Sequence, residues 1–263
     1  MKGLPNYGNT CYFNAALQCL LQIPQLSNYM ILKTFEKENK LLLEYQNIVK
    51  SYWTSSESSI NILKLLKLFI NRFSQFNNNN QNDSQEVFIC FLEFLDTSCE
   101  DFIKKICFSK MEQTTICKDE TSIKEEFTTI HFLYPTKETS LNDLITKFQD
   151  WNTIDNYRDT KNVTHYVATT RTIIKDPSPI MTFSFRMYER KIRIELEEKI
   201  KINNFNYDLF GIVTHLGSIK GGHYISYTKH KNIWYMKDDE ECKEVSKIPL
   251  KHYHYLALYK RIL

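Results

Sequence analysis

The stretch NYGNTCYFNAALQCLL, Asn6–Leu21, sets a glycine, two asparagines and a threonine just ahead of a cysteine, with an apolar run behind it. Asn9 or Thr10 can cap a helix here, and Phe13, Ala16, Leu17, Leu20 and Leu21 recur at helical spacing. Cys11 then stands at a helix start, where unpaired N–H groups and the macrodipole favour a thiolate. Gly8 lets the backbone bend tightly before it. Asn6 and Asn9 bring amide donors close. A thiol nucleophile needs an activated sulfur and donors for an oxyanion, and this stretch has both. The competing reading is a buried small hydrophobe, the usual fate of a free cysteine and the one given to Cys19, Cys90 and Cys99.

Outward from this stretch the first hundred residues read as helices. Pro24 is expected to end the first. A second lies within Ile31–Trp53, and a third carries Ile62, Leu63, Leu65, Leu66, Phe69 and Ile70 at helical spacing. Asp83 and Glu86 have capping-box spacing ahead of Val87, Phe88, Phe91, Leu92, Phe94 and Leu95. After Cys107 the period becomes two. Met181, Phe183, Phe185 and Met187 alternate with polar residues, and Ile192, Ile194 and Leu196 alternate with charges. Tyr207–His215, His223–Thr228, Ile233–Met236 and Tyr253–Tyr259 read as strands, and Leu141–Phe148 as a short helix. With no repeat and no long linker, the chain reads as one α+β domain over 1–263. A helical lobe covers about 1–105, and a mostly antiparallel sheet lobe covers about 106–263.

Two further stretches carry chemistry. GIVTHLGSIKGGHYISY, Gly211–Tyr227, holds four of the six glycines, and His223 follows a Gly-Gly pair. A lone strand histidine is commonly structural. Gly221 and Gly222 instead suit a close backbone approach beside a cleft. Downstream, Asp238 in WYMKDDE is a candidate to orient the imidazole, against the plainer reading of a solvated acidic turn. The order cysteine, distant histidine, acid is that of papain-like thiol proteases. In QNDSQEVF, Gln81–Phe88, the acceptors Gln81, Asp83 and Glu86 would suit one rim of a cleft that takes an arginine-bearing tail.

Together these stretches resemble the ubiquitin-specific proteases. GLPNYGNTCYFNAALQCL is similar to the family's Cys box, QNDSQEVF to its Gln-Gln-Asp helix start, and GGHYISY with WYMKDDE to its His box. TTICKDETSIKEEFTTIHF (Thr114–Phe132) resembles the fingers strand pair, SLNDLITKF the following helix, and YDLFGIVTHLGS the strand leading to the active-site loop. The resemblance implies a papain-like fold with a helical thumb, a sheet palm and shortened fingers. It implies a thiol-dependent deubiquitinase acting through an acyl-enzyme. Cys11 would be the nucleophile, His223 the base and then the acid, and Asp238 its orienter with Asp239 a nearby helper. Asn6 would donate to the oxyanion with the Cys11 N–H. Gln81, Asp83, Glu86, His215, Gly221, Gly222 and Tyr224 would meet the ubiquitin tail. The loop His215–Gly222 would be mobile when empty and ordered with ubiquitin bound.

Departures from that family carry their own expectations. Cys117 has no CxxC partner, so neither a structural zinc nor any cofactor is expected. Lys237 stands where an aromatic residue is common, with Met236 expected to fill the space. The domain is short for the family, and no accessory module is expected, so targeting would rest on its surface or on an activating partner.

The totals narrow the partners. The chain has 263 residues, 42% of them apolar, and a net charge of +3. Lys and Arg are dispersed, which supports neither nucleic acid nor a membrane surface as partner. No run approaches the roughly 20 apolar residues of a membrane span, and no signal-peptide pattern follows Met1. Seven cysteines without CxxC spacing point to a reducing, intracellular setting. The partners expected are ubiquitin or ubiquitinated proteins, with the enzyme a monomer. A protease for another ubiquitin-like modifier and a catalytically silent ubiquitin binder are the rival readings.

Overall fold

The computed structural model describes residues 1–262 apart from 37, 79, 100, 119, 160, 188, 189, 219 and 220. Helices come first: α1 (Cys11–Leu21), α2 (Pro24–Leu32), α3 (Lys40–Thr54), α4 (Leu63–Arg72), α5 (Ser84–Ser98) and α6 (Phe102–Cys107). The chain then runs through β1 (Ser109–Cys117), β2 (Glu120–Thr128), β3 (His131–Leu133), β4 (Thr139–Ser140), α7 (Leu141–Phe148), β5 (Asn152–Arg158) and β6 (Thr164–Asp176). It continues as β7 (Ile180–Phe185), β8 (Ile194–Glu195), β9 (Lys199–Ile202), β10 (Phe205–Ser218), β11 (Gly221–His230) and β12 (Ile233–Asp238). It closes with β13 (Glu241–Val245), β14 (Lys251–His252) and β15 (His254–Arg261). This is the α+β order the sequence predicts.

The large sheet runs β13-β12-β11-β10-β15-β7-β3, with β9 paired to β10. Its pairings are antiparallel except for β3 with β7. A second sheet, β2-β1-β6-β5, forms the fingers. The stretch Thr114–Phe132 thus divides between two sheets, because β3 leaves the fingers to pair with β7. All 13 residues of β6 escape the sequence reading, since their polar Thr-rich alternation belongs to a sheet exposed on one face.

Helix α1 is the spine of the molecule. Every residue of it is buried, not one stripe. It lies between the other helices and the large sheet, so a one-faced pattern is the wrong expectation for it. Phe13 meets Phe69 edge-on at 5.2 Å and Phe91 at 5.6 Å. Full burial of such a side chain stabilises by about 1.5–3 kcal/mol. Its two central polar residues tie the helix to the segment before it and to α3, although the Asn14 side-chain oxygen is buried without a partner among the described residues. Gln18 donates to the Lys2 carbonyl and accepts from the Tyr52 hydroxyl, while Asn14 donates to the carbonyls of Leu4 and Pro5. Pro24 does not simply stop α1. It is the first residue of α2, where its missing N–H costs nothing. Cys19, Cys90 and Cys99 are buried as read, and Cys99 is the C-cap of α5.

Candidate active site

Cys11 sits at the first position of α1 and is 1% exposed. Thr10 is the N-cap by position, but its side chain does not cap. Its hydroxyl accepts from the Tyr7 N–H and donates to the Asn6 side-chain oxygen. The turn ahead of it uses left-handed backbone at both Gly8 (φ 92°) and Asn9 (φ 53°), residues that tolerate it. Phe13 and Asn14 both send their N–H to the Thr10 carbonyl. The N–H groups of Cys11 and Tyr12 instead face the Cys11 thiol, joined by the N–H of Tyr224. Such donors can hold a thiolate or an oxyanion.

The preformed thiolate expected from the helix start is not what the free site favours. Burial pushes the Cys11 thiol above the ordinary cysteine range, and the three N–H groups only partly oppose it. The charge of Asp239 adds to the upward shift.

The register of the large sheet brings histidine and acid together. Pairing of β11 with β12 sets Ser226 opposite Lys237. One step further puts Asp238 opposite Ile225, diagonal to His223 on the same face. His223 Nε2 lies 2.6 Å from Asp238 Oδ1 and 4.0 Å from Asp239 Oδ2. With Nε2–H donated to Asp238, Nδ1 is the nitrogen left to exchange a proton with a thiol. These three side chains are also the one group among the described residues whose ligand atoms all fall within 4.8 Å of one another. Cys117 belongs to no such group, and Asp119 lies outside the described residues.

Asp239 occupies the β12–β13 turn with φ 50°. Its carboxylate accepts from Asn6 Nδ2 and Asn14 Nδ2, each at 2.7 Å, and its carbonyl accepts from the Leu4 N–H at 2.8 Å. The Asn6 amide therefore has one hydrogen committed to Asp239. Its oxygen accepts from the N–H groups of Gly8 and Thr10. The segment before α1 thus clamps the acidic turn, and Asn6 and Asp239 form a linked pair. Sequence reasoning missed Asn14. The signal was a polar residue at i with Gln18 at i+4, both inside an otherwise apolar helix.

The rim predicted to take a tail is assembled from distant segments. Gln81 pairs through both ends of its amide with the backbone of Gly222: Nε2 donates to the carbonyl, and Oε1 accepts the N–H at 3.1 Å. Asp83 caps α5 by accepting the Gln85 N–H at 2.8 Å. Burial raises its carboxyl, and Arg186, which the sequence reading did not single out, draws it back. Glu86 is exposed one turn into α5. His215 stands opposite Tyr224 in the β10–β11 register, with their rings 4.5 Å apart. Burial, with Lys191 and His223 nearby, lowers the His215 imidazole to about 4. A Cβ on Gly222 would lie 1.9 Å from the Leu216 carbonyl oxygen, whereas one on Gly221 would meet nothing within 4 Å. Of the loop expected to be mobile, residues 219 and 220 lie outside the described set, and Gly217 pairs with Gly222.

Lys237 is 2% exposed and fills with its own stem the place expected for Met236. Met236 packs into the palm core on the other face of β12. The Lys237 Nζ lies 5.6 Å and 5.5 Å from the ring centres of Tyr52 and Tyr235.

Comparison with known proteins converges on one family. The family model described as ubiquitin carboxyl-terminal hydrolase matches residues 2–259. The ubiquitin carboxyl-terminal hydrolase nonstop of Drosophila melanogaster is 20% identical over an alignment that covers 99% of this chain and 67% of the relative. Ubiquitin carboxyl-terminal hydrolase 16 of Arabidopsis thaliana is 22% identical, covering 98% of this chain but 30% of that protein. The chain thus spans two thirds of one relative's length and under a third of the other's. Among solved structures, the SAGA Ubp8/Sgf11/Sus1/Sgf73 DUB module bound to ubiquitin aldehyde superposes with a TM-score of 0.85 and 19% identity, covering all of this chain and 70% of that one. At that identity the likeness establishes the fold.

Proposed function

Because the chain belongs to the ubiquitin carboxyl-terminal hydrolase family, we propose that it is a thiol-dependent deubiquitinase that hydrolyses the bond after the C-terminal glycine of ubiquitin. The observation that carries this reading is the 2.6 Å contact of His223 Nε2 with Asp238, on the strand whose Tyr224 N–H meets the Cys11 thiol. Cys11 gives its proton to His223 and attacks the glycyl carbonyl. The oxyanion is met by N–H groups at the start of α1 and by the second hydrogen of the Asn6 amide. His223 then protonates the leaving amine, and water, deprotonated by the same imidazole, releases the acyl group. Asp238 holds the imidazole in the tautomer this requires, and Asp239 acts at one remove by holding Asn6.

Specificity for a Gly-Gly tail has a support of its own. Gly222 admits no side chain at the closest point of the β10–β11 hairpin. Its N–H and carbonyl, occupied by Gln81 in the free chain, are the groups an extended tail would pair with. Asp83 and Glu86 supply acceptors for arginines of the tail. Residues 1–263 act as one catalytic domain, in an intracellular setting that suits seven cysteines without CxxC spacing. Partner subunits that align such a site, as the assembly of the structural relative suggests, are part of the same reading.

Hydrolysis of a fluorogenic amide on the ubiquitin C-terminus, run beside the same amide on other ubiquitin-like modifiers, tests this. Turnover of the ubiquitin amide that is abolished by Cys11→Ala is expected. Turnover confined to another modifier would move the specificity. Ubiquitin binding without turnover, with or without added partner subunits, would leave a silent binder.

A further inference from the structure

Lys237 and Cys242 stand opposite each other in the β12–β13 hairpin, with Nζ 3.0 Å from Sγ. The remaining hydrogen bonds of the ammonium go to the Lys2 carbonyl at 3.2 Å and the Tyr52 hydroxyl at 3.1 Å. No carboxylate among the described residues comes within 4.0 Å of it. A buried lysine without a counter-carboxylate holds its proton weakly. Burial draws this amine below the ordinary lysine range, with Cys242 opposing the shift. Cys242 is partly exposed, whereas the other six cysteines are buried, which makes it the cysteine most open to a small oxidant. The acid-base and oxyanion chemistry proposed for the site uses neither residue.

We propose that Lys237 and Cys242 form an oxidative modification site in which peroxide drives an S–N cross-link between them. Hydrogen peroxide takes the two electrons of the thiolate sulfur, giving Cys242 sulfenic acid and one water. The neutral Lys237 amine then attacks that sulfur, the S–O bond breaks, and the hydroxyl leaves with an amine proton as a second water. The linked pair has lost two hydrogens in all. A thiol reductant reverses it by attacking the sulfur, with the amine leaving as it takes a proton. A second thiol then frees Cys242.

The link changes what Lys237 can do. Nitrogen bound to sulfur loses its charge and most of its donors, so the bonds to the Lys2 carbonyl and Tyr52 weaken. Asp238 is the next residue along β12, and Lys2 belongs to the segment that clamps Asp239. Oxidation at this pair therefore loosens the acids around His223. This coupling, unlike the link itself, rests on the proposed hydrolase reading.

Mass spectrometry of the intact protein treated with a small excess of hydrogen peroxide and then digested by trypsin tests the site. The segment 232–243 contains one cysteine, Cys242. It should appear lighter by two hydrogens, with no backbone fragment ions between 237 and 242, and should revert with dithiothreitol. Cys242 found as sulfinic or sulfonic acid on an open segment, or left as a thiol, would overturn the proposal. Lys237→Arg keeps the charge but should abolish the link. The activity arm uses Cys242→Ser, in which the reductant-recoverable loss of ubiquitin-amide turnover after peroxide should disappear. A link with full turnover would overturn the coupling to His223. The mass readout needs no turnover, so failure of the hydrolase reading is distinguishable from failure of the link.

Discussion

His223 Nε2 lies 2.6 Å from Asp238 Oδ1 but 4.0 Å from Asp239 Oδ2, so the adjacent acids at the end of β12 and the start of its turn make separate contacts. Asp238 fixes the imidazole, while Asp239 is drawn away to Asn6 and Asn14. Asp238→Ala should therefore lower kcat on a ubiquitin amide by roughly 10²–10⁴ with little change in KM, because proton transfer is lost and binding is not. An effect confined to KM would place Asp238 outside the chemistry.

Neighbouring glycines should answer differently to alanine. Gly222→Ala puts a methyl 1.9 Å from backbone oxygen and 2.8 Å from the His215 ring, so β10 and β11 must move apart. Gly221→Ala has open space around it in the free chain. Thermal unfolding should show Gly222→Ala destabilised, by about 1–3 kcal/mol, and Gly221→Ala close to the parent. Kinetics should show Gly221→Ala with a raised KM if the tail passes beside it. Equal thermal losses for the two would contradict the placement.

Two buried histidines make the fold acid-sensitive. Burial lowers His131 to about 4 and His254 to about 3. Both are neutral at pH 7 in either state. As pH falls below the unfolded value near 6.5, the unfolded chain takes up protons that the folded chain refuses. Stability is therefore present above that value and lost as pH falls through about 4 for His131 and about 3 for His254, on the order of 3–5 kcal/mol for each histidine. Urea unfolding at several pH values should show this slope, and His254→Gln should flatten it. An unchanged slope in the variant would remove His254 from the account.

The raised Cys11 thiol has a consequence for reactivity. In the free protein, alkylation of Cys11 by iodoacetamide should be slow at neutral pH and climb as pH rises beyond the ordinary cysteine range, since the thiolate is the nucleophile. A rate that is already flat from pH 6 upward would instead indicate a preformed thiolate–imidazolium pair.

Much of this was legible in the chain because the decisive signals are local. Cys11 at a helix start, the Gly-Gly pair before His223 and the Asp83 cap each need only their neighbours to be read. The α+β order also follows from a period that shifts from helical to two. What escaped depends on contacts far apart in sequence. Asn14 reaches Asp239 from 225 positions away, and Lys237 reaches the Lys2 carbonyl from 235. The thiolate expectation is opposed for a related reason. The macrodipole can be read from helix position, whereas the desolvation that outweighs it comes from packing against β11. The fingers strand β6 was hidden because neither face is fully apolar.

Covalent capture by ubiquitin carrying a thiol-reactive C-terminus tests the central claim most directly. One adduct is expected, mapped to Cys11, absent in Cys11→Ala and strongly slowed in His223→Ala. Labelling at another cysteine, or labelling of Cys11→Ala at the rate of the parent, would contradict the proposed roles of Cys11 as nucleophile and His223 as its base.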